Sequence, residues 1–202
     1  MIESFFAPAF SVWGSPVTWL ELAAVLLSLA MVACNIREVH WGWPLAAVAS
    51  LMYLALFWRS RLYGEAGLQV VFAVVALWGW SQWLRGRGRD GAPLRVHRLG
   101  RRGWALALAA TALAWPALAW ALRQWTDSDV PWWDAFPTAL SLVAQVLLGR
   151  KLLENWPAWL VVNVASVGLF VHKALWLTAA LYAVFVVLSV VGWVAWQRRV
   201  PA

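Results

Sequence analysis

The chain has 202 residues, of which 63% are hydrophobic and only 12% charged, and its mean hydropathy is +0.69. A soluble domain is roughly 45–50% apolar and about 25% charged, so an ordinary water-surrounded domain is excluded. The net charge of +7 does not point to nucleic acid, because most of the excess lies in one stretch, RGRGRDGAPLRVHRLGRR from Arg85 to Arg102. Hydrophobic runs flank that stretch on both sides, the pattern of a cytoplasmic loop under the positive-inside bias.

The opening residues, MIESFFAPAF, have no basic segment and carry Glu3, so a cleavable signal peptide is not expected. A membrane-crossing helix needs about 20 mostly apolar residues. Seven runs fit or approach that length: Val17–Ile36, Trp41–Trp58, Ala66–Leu84, Gly103–Leu122, Ala135–Gly149, Trp156–Val171 and Ala174–Trp196. The fifth and sixth are short for a core about 30 Å thick and need Trp or Lys/Arg anchors at the interface. The single cysteine, Cys34, rules out an internal disulfide.

Basic residues set the orientation. With the N-terminus outside, Arg37, Arg85, Arg87, Arg89, Arg95, Arg98, Arg101, Arg102, Arg150, Lys151, Arg198 and Arg199 face the cytoplasm. Arg59, Arg61, Arg123 and Lys173 face out, so the division of the 16 is 12 against 4. The outer side is comparatively acidic, with Glu3, Glu65, Asp127, Asp129 and Asp134.

The sequence repeats itself. "GWP" at Gly42–Pro44 answers "NWP" at Asn155–Pro157, an offset of 157 − 44 = 113. At that offset Trp19 falls on Trp132, Glu21 on Asp134, Ser28 on Ser141, Arg37 on Arg150 and Phe57 on Phe170. "GWSQWLR" from Gly79 falls on "GWVAWQR" from Gly192. An ungapped offset across three helices indicates duplication. Three helices per half is an odd number, so a connecting span is needed to restore direction, and Gly103–Leu122 supplies it. The expected fold is an all-α integral membrane protein with seven transmembrane helices arranged 3+1+3, as two parallel three-helix repeats. Residues 17–84 form the first repeat, 85–130 the basic loop and connector, and 131–197 the second repeat. Parallel-repeat transporters bind substrate near the midplane at the repeat interface.

Polar side chains within the spans are expected to face inward, since hydrocarbon cannot satisfy them. On the sixth span Trp156, Trp159, Asn163, Ser166 and Phe170 share one helical face. The second span repeats it with Trp43, Ala46, Ser50, Tyr53 and Phe57. The third span offers Gln69, the seventh Tyr182, and the fifth Ser141 and Gln145. Amides donate and accept hydrogen bonds, which suits hydroxyls and carboxamides, while Trp and Tyr faces suit a flat ring. A cationic ring gains about 0.5–2 kcal/mol over Trp when desolvated. The structural alternative is that Asn163 and Gln145 only tie helices together and that most of the 19 Trp belong to the interfacial belt. Trp80, Trp83, Trp193 and Trp196 are assigned to that belt, and Trp13 and Trp19 are likewise weak candidates for a ligand contact. Gly67 and Gly168 are expected to be close-packing sites, and His40, His97 and His172 to lie in loops. No acidic or His relay crosses the bundle, and no phosphate loop, metal-ligand cluster or nucleophile–base pair appears, so neither enzymatic chemistry nor a cofactor nor a metal is expected.

The stretch "WDAFPTALSLVAQVLLGRKLLENWPAWLVVNVASVGLFVHKALWLTAALY", with "LYGEAGLQVVF" and "GWSQW" in the first half, resembles the PnuC family of bacterial vitamin transporters over nearly the whole chain. The W-x-x-W-x-x-x-N pattern at Trp156, Trp159 and Asn163 carries much of the likeness. The resemblance implies a fold related to the sugar-transporting SWEET proteins and a homotrimer. It implies facilitated diffusion of nicotinamide riboside, a precursor of NAD, across the inner membrane, with a cytoplasmic kinase trapping the product. It also implies that the Trp pair, Asn163 and Gln69 hold nicotinamide and ribose. Some members carry an Asn in the second span where this chain reads "AAVAS", with Ser50 nearest. Related members are associated with thiamine or riboflavin. The reading carried forward is a nicotinamide riboside facilitator working by alternating access, with substrate contacts among Trp156, Trp159, Asn163, Gln69, Gln145, Tyr53, Ser50, Tyr182, Trp43 and Ser166. Thiamine, riboflavin or another nucleoside-like vitamin is the alternative substrate. A seven-helix receptor or structural protein is the alternative class, and the duplication argues against it.

Overall fold

The structure, a computed structural model, describes residues 8–12, 15–59, 63–88, 91–126, 129–173 and 176–200. Glu3, Trp13, Arg61, Arg89 and Asp127 lie outside them, as do the side chains of Glu21, Phe57, Arg59 and Glu65. Two short strands, β1 (Pro8–Val12) and β2 (Ser15–Thr18), precede seven helices: α1 (Trp19–Ile36), α2 (Gly42–Arg59), α3 (Tyr63–Arg85), α4 (Arg101–Trp125), α5 (Pro131–Gly149), α6 (Asn155–His172) and α7 (Trp176–Gln197). Ala66–Arg85, Arg101–Trp125 and Thr178–Gln197 are long and apolar enough to cross a membrane.

The strands differ from expectation. The first apolar run was expected to become helical at Val17, but β1 and β2 pair antiparallel, with Phe10 opposite Val17 and Pro8 opposite Thr18. Helix α1 therefore starts at Trp19. The short fifth span gains four residues at its start, because Pro131 occupies the first helical position and has no N–H to leave unsatisfied. The eighteen residues of α6 measure roughly 27 Å at 1.5 Å each, near the thickness of the hydrocarbon core.

The chain divides into two compact units, Met1–Trp80 and Ser81–Ala202. In the first, α1 packs on α2; in the second, α4 packs on α5, α5 on α6 and α6 on α7. Helix α4 buries only Ala119 and exposes Leu106, Leu108 and Leu113. That distribution is costly in water but not in hydrocarbon, where exposed leucine meets its own kind.

Each unit contains the same corner, displaced by 113 residues. Glu38 and Lys151, which are 113 apart, are the two non-glycine residues with positive φ among those described, at 58° and 54°. Each follows the end of a helix. Val39 N–H reaches back to Cys34 O, and Leu152 N–H to Leu147 O, both at 2.9 Å. Glu38 N–H bonds Asn35 O at 3.1 Å and Lys151 N–H bonds Leu148 O at 2.9 Å. These six-to-one and companion bonds around a left-handed residue are those of a Schellman-type helix end, and they satisfy carbonyls that the helix leaves open. The next helix starts identically in both, with Trp43 N–H on His40 O and Trp156 N–H on Leu153 O at 3.2 Å. The duplication seen in side-chain identity is thus present in backbone hydrogen bonding.

Candidate functional site

In the second unit the corner after α5 is bolted to the basic loop. His97 N–H donates to Lys151 O at 3.2 Å and Leu153 N–H to His97 O at 2.9 Å. Glu154, the residue preceding α6, makes no cap bond to its own helix; its Oε2 instead accepts from Leu99 N–H at 2.9 Å. The start of α6 is therefore fixed from two directions.

Helix α6 meets α7 in a seven-residue register, with positions 156, 163 and 170 of α6 facing 196, 189 and 182 of α7. Trp156 meets Trp196 edge to face, with centroids 5.5 Å apart at 86°. Asn163 Nδ2 donates to Ser189 Oγ at 3.0 Å. Phe170 lies 5.0 Å from Tyr182, which also contacts Phe185 at 5.8 Å. The sixth-span face is thus the face turned toward α7.

Trp156 is 3% exposed, and its six-membered ring fills the space where a Cβ on Gly192 would sit. Trp43 fills the corresponding space over Gly79 in the first unit. Both separations are 36 residues. Trp196 is 0% exposed and lies between Trp156 and Trp83, the latter 6.2 Å away. Trp83 donates its indole N–H to Leu148 O at 3.1 Å and carries Lys151 Nζ 4.8 Å above its ring. Trp83 and Trp196 are therefore packing residues, not belt residues. Position along the span does not separate the two roles; the ring contacts between Trp156, Trp196 and Trp83 and the Trp83 N–H bond to Leu148 O do.

Asn163 is 5% and Ser189 3% exposed. Ser189 Oγ donates its one hydrogen to Phe185 O at 2.8 Å, so toward Asn163 it acts as acceptor. The Oδ1 of Asn163 accepts no hydrogen bond among the described residues. Nor is it one of the enclosed, partnerless polar atoms, a class that includes Trp156 Nε1 and Asn155 Oδ1. Trp159 is half-buried, Ser166 and Gln145 are buried, and none of the three makes a side-chain hydrogen bond or ring contact among the described residues. In the first unit Ser50 is buried and Gln69 half-buried, also without such a bond, and Tyr53 is half-buried. The structure thus pairs Asn163, Trp156 and Tyr182 across α6 and α7 and leaves Trp159, Ser166 and Gln145 with unused polar or ring surface.

At the other end of the second unit, Lys173 Nζ bonds Asp134 Oδ1 at 3.0 Å and Oδ2 at 3.2 Å, with Asp129 at 3.8 Å. Trp133 stacks on His172 at 5.6 Å, donates to Ala165 O at 3.3 Å and touches the Cβ position of Gly168. His172 is the last helical residue of α6, not a loop residue. Gly168 is a close-packing site as expected; Gly67 has nothing among the described residues within 4 Å of its Cβ position.

Two hollows lie along α4 and α5. One of about 380 Å³ is lined by Trp115, Trp132, Trp133 and Phe136. The other, about 460 Å³, runs between Gly103–Ala114 and Ala139–Leu147. Neither contains a candidate polar residue, and Trp115 already uses its N–H on Trp132 O at 2.8 Å. They offer little to a hydroxyl-rich ligand. Sequence reasoning missed Ser189, although it is the one polar residue between Tyr182 and Trp193. The rule that intramembrane polar residues face inward would have found it.

Residues 18–198 match the family model described as nicotinamide mononucleotide transporter. The riboflavin/roseoflavin transporter RibM of Streptomyces davaonensis is 29% identical over 194 residues, covering 95% of this chain and 90% of RibM. The nicotinamide riboside transporter PnuC of Escherichia coli strain K12 is 23% identical over 207 residues, covering 91% and 87%. A crystal structure of the vitamin B3 transporter PnuC shares the fold at a TM-score of 0.72 and 22% identity, covering 89% of this chain and 81% of that one.

Proposed function

The chain belongs to the nicotinamide mononucleotide transporter family, and on that premise we propose that it carries nicotinamide riboside into the bacterial cell by facilitated diffusion with alternating access. It is a multi-pass membrane transporter and not an enzyme. The observation that carries the substrate reading is the α6 face. Among the described residues, Asn163 is held by Ser189 with its carbonyl oxygen accepting nothing, and Trp159, one turn away, has no ring partner. Trp159 supplies a face for a flat ring, and Asn163 an acceptor for a carboxamide or ribose hydroxyl. Gln145, Ser166 and, in the first repeat, Gln69, Ser50 and Tyr53 supply further polar contacts. Trp156 and Tyr182 shape the α6–α7 face through their packing, and Trp43 holds the corresponding place over Gly79 in the first repeat. The reading keeps repeats at 17–84 and 131–197 joined by 85–130, the N-terminus outside, a homotrimer, and a cytoplasmic kinase that traps the substrate.

Riboflavin is the second reading. The 29% identity to RibM exceeds the 23% to the Escherichia coli PnuC, and Ser50 stands in "AAVAS" where some PnuC members carry Asn. A binding panel separates the two: purified protein in lipid nanodiscs with nicotinamide riboside, riboflavin, thiamine and common nucleosides, read by Trp fluorescence. Saturable binding of nicotinamide riboside alone supports the leading proposal, and preference for riboflavin replaces it with the second. Binding of none overturns both. Uptake into proteoliposomes should ignore an imposed pH gradient, and proton-driven accumulation would sink the passive mechanism.

A further inference from the structure

The Asn163–Ser189 pair contains more information than a contact. A serine hydroxyl has one hydrogen and two acceptor sites. Ser189 directs its hydrogen at Phe185 O, 2.8 Å away and four residues back on α7. Its oxygen can then only accept from Asn163. This fixes which end of the amide faces Ser189: Nδ2, at 3.0 Å. The two ends of an amide are nearly the same shape, and only such a bond network decides between them. With Nδ2 committed, Oδ1 is turned the other way and accepts nothing among the described residues. Both residues are more than nine-tenths buried, where water competes weakly and an acceptor facing a negative group is costly.

We propose that Ser189 is a positioning residue that locks the Asn163 amide with its oxygen toward the ligand, making the site selective for a hydrogen-bond donor and against a carboxylate or blocked donor at that point. This rests on the reading of Asn163 as a ligand contact. The selection follows from chemistry. A carboxamide offers N–H to Oδ1, whereas the corresponding acid is a carboxylate and offers only acceptors. An isoalloxazine imide N–H likewise offers a donor that N-methylation removes. The first repeat lacks the device, since at the 113-residue offset Ser50 stands for Asn163 and Ala76 for Ser189.

The test measures dissociation constants of full-length protein in nanodiscs for two matched pairs. They are nicotinamide riboside with nicotinic acid riboside, and riboflavin with 3-methylriboflavin. Wild type should prefer the donor-bearing member of the pair it binds. Ser189→Ala should reduce that preference about tenfold, since a charge-assisted or well-buried hydrogen bond decides it. Part of the change should be tighter binding of the acid, whose oxygen a flipped amide can reach with N–H. Ser189→Cys, a weak acceptor, should follow Ala. Ser189→Thr, which keeps a hydroxyl able to bond the carbonyl four residues back, should retain the wild-type ratio. A merely structural role would weaken both members equally and leave the ratio alone. An unchanged ratio in Ser189→Ala, with parent binding intact, overturns this inference and spares the transport reading. A wild type that binds neither pair overturns the transport reading and this inference with it.

Discussion

Trp156 shows how one side chain acquires a role that its own position does not reveal. It begins an amphipathic face with Trp159 and Asn163, and by spacing alone it is as good a ring-binding residue as Trp159. What distinguishes it is Gly192, 36 residues later, whose missing Cβ leaves the space the indole occupies. Gly79 does the same for Trp43. The pairing was present in the sequence as the repeat of G-W-x-x-W after N/G-W-P, but only side-chain contact gives it meaning. Gly192→Ala should therefore force the indole of Trp156 and its neighbour Trp196 out of place. Overpacking of this kind costs about 1–3 kcal/mol, read as a drop of several degrees in the apparent melting temperature in detergent. Gly79→Ala should behave alike. Gly67→Ala, where the added methyl meets open space, should leave the transition unchanged or slightly higher. If all three variants melt alike, the glycine seats are not what holds these indoles.

Among the elements, all seven helices were legible as long apolar runs, although several ends moved: α1 starts at Trp19 where Val17 was expected, and α5 at Pro131 where Ala135 was expected. The β1–β2 hairpin was not, since residues 8–18 are too short and too mixed for a span and their pairing depends on partner strands rather than composition. The corner at Glu38 and Lys151 was not legible either: neither residue is a glycine, so nothing in the sequence marks a left-handed backbone there. The two positions should share a substitution profile. Glu38→Gly removes the Cβ clash of left-handed backbone, a cost of roughly 1–2 kcal/mol, and should stabilise, whereas the β-branched Glu38→Val should destabilise, both measured by thermal unfolding. Glu154 joins two elements, since its carboxylate receives Leu99 N–H. Glu154→Ala removes a hydrogen bond to a charged group, typically about 1.5–3 kcal/mol, and should release the arginine-rich segment before α4. Limited trypsin digestion reads this directly: cleavage after Arg95 and Arg98 should accelerate in the variant. Equal digestion rates would mean that the two backbone bonds to His97 hold the loop without Glu154.

For the molecule as a whole, the duplication and the charge distribution lead to one physical requirement. Two copies of a three-helix unit in tandem enter a membrane in opposite directions unless a further crossing separates them. Helix α4 is 25 residues long and almost entirely apolar on its exposed surface, which suits it to make that crossing while packing chiefly on α5. On the proposed orientation, with the N-terminus outside and lysine and arginine divided 12 against 4, Arg85–Arg102 and the Arg150–Lys151 corner would lie in the cytoplasm, and Asp129, Asp134 and Lys173 outside. The Lys173–Asp134 pair would sit at the external mouth, where salt screens it. Reporter fusions test the crossing. A fluorescent protein joined after Arg102 should fold and glow in the cytoplasm. Alkaline phosphatase joined after Asp129 should be active outside, and a fluorescent protein after Lys151 should glow again. Two crossings, α4 and α5, are needed for that alternation. Were the Arg102 and Asp129 fusions to report the same side, α4 would not span the bilayer, the two repeats would be inverted rather than parallel, and the shared corner at Glu38 and Lys151 would face opposite compartments.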